Sequence, residues 1–159
     1  MTFSLQLKAF AEKAATNADV AVKGIVIEVA ANLDSRSPVG KRELWAANIE
    51  RASRGLPPLP AGYIGGRFRG NWQYGNYEGA GIPVGELDNI DPTGEATQAA
   101  LAAAIPDKAA GLRHVLINNV PYAMALERGH SGQAPEGIVG LAVVEFQDAV
   151  DKAVAKVVK

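Results

Sequence analysis

The chain has 159 residues, enough for one domain with a real core. Hydrophobic residues make up 48% and charged residues 21%, which fits a globular protein and argues against global disorder. A net charge of -1 gives no general pull toward nucleic acid or anionic membrane, and the absence of cysteine excludes disulfides, thiol nucleophiles and thiolate metal sites.

Lys8, Glu12 and Lys13 interrupt the stretch in which an export signal would need an unbroken apolar core, so no such signal is expected. Glu28 interrupts the longest apolar run, 24–33, so no membrane span is expected either. Residues 4–33 are predicted to form one long helix capped by Ser4. Leu7, Ala11, Ala14, Ala18, Ala21, Ile25 and Val29 recur three or four apart on one face. Asp19 precedes Lys23 by four, a favourable exposed pair. Gly24 marks either a kink or a place where another backbone comes close. The second half of the helix is apolar nearly all round and calls for burial on more than one side.

Ser37-Pro38-Val39-Gly40 stops this helix. A short helix within 41–54 would carry Leu44, Trp45 and Ile49, and the run Gly55-Leu56-Pro57-Pro58-Leu59-Pro60 then forbids regular structure. Residues 41–61 therefore read as an excursion from the domain that packs weakly on its own. Residues 67–77 read as a strand with Phe68, Trp72 and Tyr74 on one side. Asp91-Pro92 looks like a helix start, followed by a helix over 96–105 that Pro106 ends. Residues 112–119 read as a second strand, and 122–127 are too few to choose between a strand and one helical turn. The last helix is predicted over 135–158, with Val139, Val143, Phe146, Val150, Val154 and Val157 as its buried stripe. Lys152, Lys156 and Lys159 lie toward its C-terminal end, where the helix dipole favours cations. The expected fold is a single α+β domain, a small, mainly antiparallel sheet packed on two long helices.

No constellation for catalysis stands out. His114 lies inside a strand pattern and His130 follows a glycine, and neither belongs to an HxH, HxxxH or HExxH spacing. Ser131 is not framed as a nucleophile elbow. Residues 79–85 resemble a dinucleotide loop only until the third glycine arrives one position late. No enzyme activity, metal or cofactor is expected.

Charge is segregated. From Arg36 to Arg69 seven basic residues face two acidic ones, whereas Glu78 to Asp107 holds six acidic residues and no basic one. Three explanations stay open: complementary surfaces between neighbouring subunits, an Arg-aromatic platform over 67–74 for single-stranded nucleic acid, or solvated loops that happen to differ.

Three segments carry a resemblance. The first is Ser37-Pro38-Val39-Gly40 with Glu43-Leu44-Trp45. The second runs from Gly62 to Gln73 and contains Gly66-Arg67-Phe68-Arg69-Gly70-Asn71-Trp72. The third comprises Asn118-Asn119-Val120-Pro121-Tyr122-Ala123, then Leu126-Glu127-x-Gly129-His130-Ser131, then Gln133-Ala134-Pro135-x-Gly137. In this order and spacing they resemble the tail-completion proteins of long-tailed bacteriophages, the family of the lambda minor tail protein Z. The long stretch 41–61 departs from many members, which shorten it.

The resemblance implies a small α+β subunit that forms a ring, expected to be hexameric, at the head-proximal end of the tail. Its neighbours there would be head-tail connector and tail terminator or tail tube proteins. Genomic DNA would pass through the ring without sequence-specific contact. The subunit would be made in the bacterial cytoplasm and end in the virion. No catalytic residues transfer. The candidate interface or structural residues are Trp45, Arg67, Phe68, Arg69, Trp72, Tyr122, Glu127 and His130, with Arg67 and Arg69 as candidate partners of Glu127. Another neck protein such as a tail terminator, a nucleic-acid-binding module and a small enzyme are the competing functions.

Overall fold

The structure, a computed structural model, describes residues 2–157. The expected helical residue Val158 and the terminal cation Lys159 lie outside the described residues. Helix α1 spans Phe3–Arg36, so Ser4 sits inside its first turn and does not cap it. Alanine-rich sequence sustains it through Gly24 without interruption. A Cβ placed on Gly24 would lie 3.5 Å from the Ala153 side chain, ordinary van der Waals contact. The glycine therefore faces a neighbouring helix and is not a kink.

Only the second half of α1 reaches the core, through Val26, Ala30 and Leu33. Residues 3–16 are exposed all round, so the part of the apolar face that carries Leu7, Ala11 and Ala14 is uncovered in the subunit. Asp19 and Lys23 also depart from expectation. Asp19 accepts the Ala110 N–H at 2.9 Å and Lys23 pairs with Asp107 at 2.7 Å. An i,i+4 pair is worth only a few tenths of a kcal/mol, so tertiary partners displace it readily.

Pro38 ends α1 by pushing Ser37 out of the helical region, to φ -68° and ψ 122°. The Ser37 hydroxyl turns back and donates to the Leu33 carbonyl at 2.8 Å, one of the acceptors the helix end leaves free. The excursion follows as a short 3₁₀ turn, Arg42–Leu44, and helix α2, Ala46–Ser53. Its apolar residues stay largely outside, Leu44 at 64% exposure and Ile49 at 58%. What organises it is Asn48, whose amide donates to the carbonyls of Arg42 and Leu59 and accepts the Leu59 N–H. The excursion is closed at its base by Gly65, where any Cβ would lie 2.1 Å from the Gly40 carbonyl oxygen. Such a self-packed loop with adjacent ends is removable. Replacing residues 41–61 with a short glycine-serine linker should shift stability by no more than about 1 kcal/mol. Urea unfolding checks this, and loss of the cooperative transition would place Leu44 and Trp45 in the core after all.

Strand β1 covers Trp72–Asn76 and pairs antiparallel with β2, His114–Asn118, in the register Trp72 to Asn118 and Tyr74 to Leu116. Among the described residues the sheet has these two strands. The expected strand over 67–77 is therefore shorter. A 3₁₀ turn, Arg69–Asn71, occupies its start and swings Phe68 into the core beside Trp72.

Helix α3, Glu95–Ala104, starts four residues after the expected Asp91 cap. Asp91 still serves the helix start from a distance. Its carboxylate accepts the N–H groups of Gly94 and Thr97 and the hydroxyls of Thr93 and Thr97. Burial alone would raise the Asp91 carboxyl, but these bonds outweigh it and hold it at about 2. A depressed carboxyl adds stability that is present above its unfolded value of 3.8 and is lost as pH falls through about 2. Asp91→Asn should cost on the order of 1–2 kcal/mol at neutral pH and flatten the acid limb of the stability curve. Denaturant melts across the acid range check this; identical acid limbs for the two proteins would contradict it.

Residues 122–127 resolve as a short helix, α4, Ala123–Glu127. The expected single helix over 135–158 is instead two, α5 at Val139–Val144 and α6 at Phe146–Val157, broken at Glu145. Its expected buried stripe is also corrected. Val139, Val143, Phe146 and Val154 are exposed, while Ile138, Ala142, Ala149 and Ala153 are buried. Small residues let α6 lie close along α1 at Gly24, and Lys152 reaches Glu28 at 2.6 Å. The second half of α1 thus packs on α6, α5 and α3, and β1 packs on α3. The architecture is α+β, as expected. Among the described residues no helix is long and apolar enough to cross a membrane.

Candidate functional site

The three segments singled out in sequence, spread from residue 37 to 137, meet in space. Gln133 bridges the third to the first: its amide nitrogen donates to the Val39 carbonyl at 2.9 Å and its carbonyl accepts the Val39 N–H at 3.4 Å. Asn118 bridges the third to the second by donating to the Phe68 carbonyl at 2.7 Å. Trp72 bridges the second to the first, its indole N–H donating to the Ser37 hydroxyl at 2.8 Å. The Trp72 join satisfies a polar group that burial would otherwise strand, the Asn118 join one that is half-buried, and the Gln133 join lies at the surface.

Between them opens a cavity of about 680 Å³. Trp45 and Tyr63 line one side in edge-to-face contact, 4.9 Å between ring centroids. Phe68 and Tyr122 line another, with Arg67, Lys41 and His130 at the rim. Burial raises the Tyr122 phenol above its ordinary value. The lining offers aromatic faces and cations and holds no carboxylate. His130 and Ser131 each bond locally. His130 Nδ1 donates to the Ala125 carbonyl at 2.9 Å, and the Ser131 hydroxyl accepts the Gln133 N–H at 3.2 Å. His114 is held between the Tyr74 hydroxyl and the Ala109 carbonyl, both at 2.9 Å. Among the described residues no three His, Asp or Glu groups are placed to share a metal ion.

No family model, curated protein or solved structure matches this chain.

Of the eight residues singled out in sequence, Trp45, Arg67, Phe68, Tyr122 and His130 line the cavity. Arg69, Trp72 and Glu127 build the frame behind it. Glu127 does not pair with Arg67 or Arg69. Its carboxylate accepts the N–H groups of Ile138 and Val139, both at 2.8 Å, and of Gly140 at 3.0 Å, the free donors at the start of α5. Burial would raise that carboxyl, and the three backbone bonds bring it below its ordinary value. Gly137 must be glycine here: its φ is 82°, and a Cβ would lie 2.5 Å from the Glu127 carbonyl oxygen.

Arg67 pairs with Glu86 at 3.0 Å within the subunit, and Asn71, fully buried, accepts the Leu87 N–H and donates to the Arg67 carbonyl. The basic and acidic segments therefore already touch inside one chain at this point. Arg67 and Glu86 stay more than 40% exposed, so complementary surfaces between neighbouring subunits remain one of the explanations of the charge segregation. The nucleic-acid platform is corrected. Phe68, Trp72 and Tyr74 are buried, so no base can stack on them.

Sequence inspection missed Asp34, which is 1% exposed and accepts from Gln98 at 2.7 Å. A signal existed: an acid in the last turn of a helix opposes the dipole and calls for a specific partner.

Proposed function

We propose that this chain is a non-enzymatic structural subunit of a long-tailed bacteriophage. It closes into a ring, hexameric by the resemblance, at the head-proximal end of the tail, where it completes the tail and helps join it to the head. Connector rings on one side and tail terminator or tube rings on the other are its partners, and DNA passes through without base-specific contact.

The observation that carries this proposal is the convergence of the three motif segments. Separated by up to a hundred residues of sequence, they become one hydrogen-bonded unit around one cavity, as a shared structural requirement would demand. A second support is the amount of large apolar surface left open, on α1, α2 and α5, which suits a subunit that is finished only in an assembly.

Antibody-gold labelling of particles from a producing bacterium tests the proposal. Label should sit at the head-proximal end of tails, in joined particles and in free tails alike. Absence of the chain from particles, or label at the distal tail tip, would overturn it.

A further inference from the structure

We infer that one copy of this chain docks the exposed first half of its α1 into an apolar groove between α1, β2 and α5 of a neighbouring copy. This deepens the ring proposal and rests on it only for the closing of the circle.

The first partner is the helix. Residues 3–16 stand free of the subunit over about 21 Å. Phe3, Leu7 and Phe10 fall three or four apart on one face, with Ala14 continuing the line, and Phe3 is 79% and Phe10 70% exposed. This is the anchor spacing of a helix that lies in a groove. A row of large apolar side chains carried clear of its own core has no role in the folded subunit.

The second partner is the groove. Ile25, Val29, Leu116, Val139, Val143 and Phe146 line a cleft of about 360 Å³. It contains Val139, Val143 and Phe146, three of the large side chains that the final helices turn away from their own core. The first half of α1 lies on the same helix as Ile25 and Val29, so it extends beyond its own groove and can enter only another copy's.

Charge agrees with this choice of occupant. Lys8 and Lys13 flank the apolar face of the overhang, with Glu12 beside them. Of the acids near the groove, Glu145 already pairs with Arg36, whereas Asp148 and Asp151 follow Phe146 along α6, with Lys152 next to them drawn toward Glu28. Overhang and groove are unlike surfaces of one chain, so their contact is head-to-tail. Contacts of that kind close into rings when the rotation per copy permits.

Two variants, Phe10→Asp in the overhang and Val143→Asp in the groove, make the test. Both side chains are exposed in the subunit, so unchanged thermal melts are expected for each. By sedimentation velocity the natural chain should associate, while each variant alone stays monomeric with its dissociation constant raised at least about a hundredfold. An equal mixture should give dimers and nothing larger, because one sound overhang meets one sound groove and the remaining faces are both damaged. Because the chain lacks cysteine, Phe10→Cys mixed with Val143→Cys gives a second measurement that does not depend on a destabilising charge. That pair should form a disulfide-linked dimer under mild oxidation, and Phe10→Cys with Val84→Cys should not. Oligomers from either Asp variant like those of the natural chain, or no dimer in the mixture, would overturn this docking while the tail-ring proposal stands on the labelling result. A natural chain that stays monomeric throughout would overturn the docking as well.

Discussion

Arg69→Glu is expected to destabilise the purified chain by about 3–5 kcal/mol, while Arg67→Glu, two residues away, costs about 1 kcal/mol or less. The two arginines occupy one sequence motif and different physical situations. Arg69 donates to the carbonyls of Pro92 at 2.8 Å, Ser37 at 3.0 Å and Ser35 at 3.4 Å, so it ties the end of α1 to the loop before α3. It also lies 3.8 Å from Asp34. Burial raises the Asp34 carboxyl, Gln98 and Arg69 pull it down, and Asp91 pushes it up again. The net direction is upward. A raised carboxyl contributes stability below its unfolded value of 3.8 that is lost as pH rises through the folded value, so at neutral pH its charge is a cost that Arg69 offsets. A glutamate at 69 would put a second carboxylate against it with three carbonyls left without donors. Arg67 meets Glu86 where both side chains are over 40% exposed, and solvent screens such a pair. Chemical denaturation of the two variants decides between these situations. Equal losses, or none at Arg69, would remove the clamp from the account.

Trp72→Ala should cost about 3–5 kcal/mol, with Trp72→Phe losing about 1–2 kcal/mol. The side chain is 6% exposed, packs edge-on against Phe68 with ring centroids 5.8 Å apart, and holds the Ser37 hydroxyl. Truncation opens a cavity and removes the donor that links the end of α1 to β1. Phenylalanine keeps most of the volume and loses only the bond. A Phe variant as unstable as the Ala variant would show that the Ser37 contact outweighs the packing, and differential scanning calorimetry gives that comparison directly.

The sequence made the order of elements legible because each depends on local chemistry. Pro38 had to end α1, Asp91 had to serve a helix start, and the alternation at Trp72 and Tyr74 had to be a strand. Contacts between distant residues were less legible. Hydrophobicity ranks valine above alanine, so the last helix was expected to bury Val143 and Val154. The close approach to Gly24 selects Ala149 and Ala153 instead, and no local pattern announces that approach. Phe68 is in the core as its type suggests, but a 3₁₀ turn puts it there and not a strand. The motif segments were visible as motifs, whereas the bonds that join them, from Gln133, Asn118 and Trp72, became visible only once the chain was folded.

The tight seam between Gly40 and Gly65 makes everything between them a cassette. Both ends of that cassette are fixed by the parent fold, so its length is free to change: doubling a flexible loop costs only about 0.6 kcal/mol in closure entropy. Its far tip lies after α2, where Arg54 and Gly55 are exposed and Gly55 takes a positive φ of 70°. A fluorescent or affinity domain spliced between those two residues would ride outside the core, leaving the cavity frame and helices α1, α5 and α6 untouched. It would also report on whatever the excursion approaches once the subunit is in its assembly.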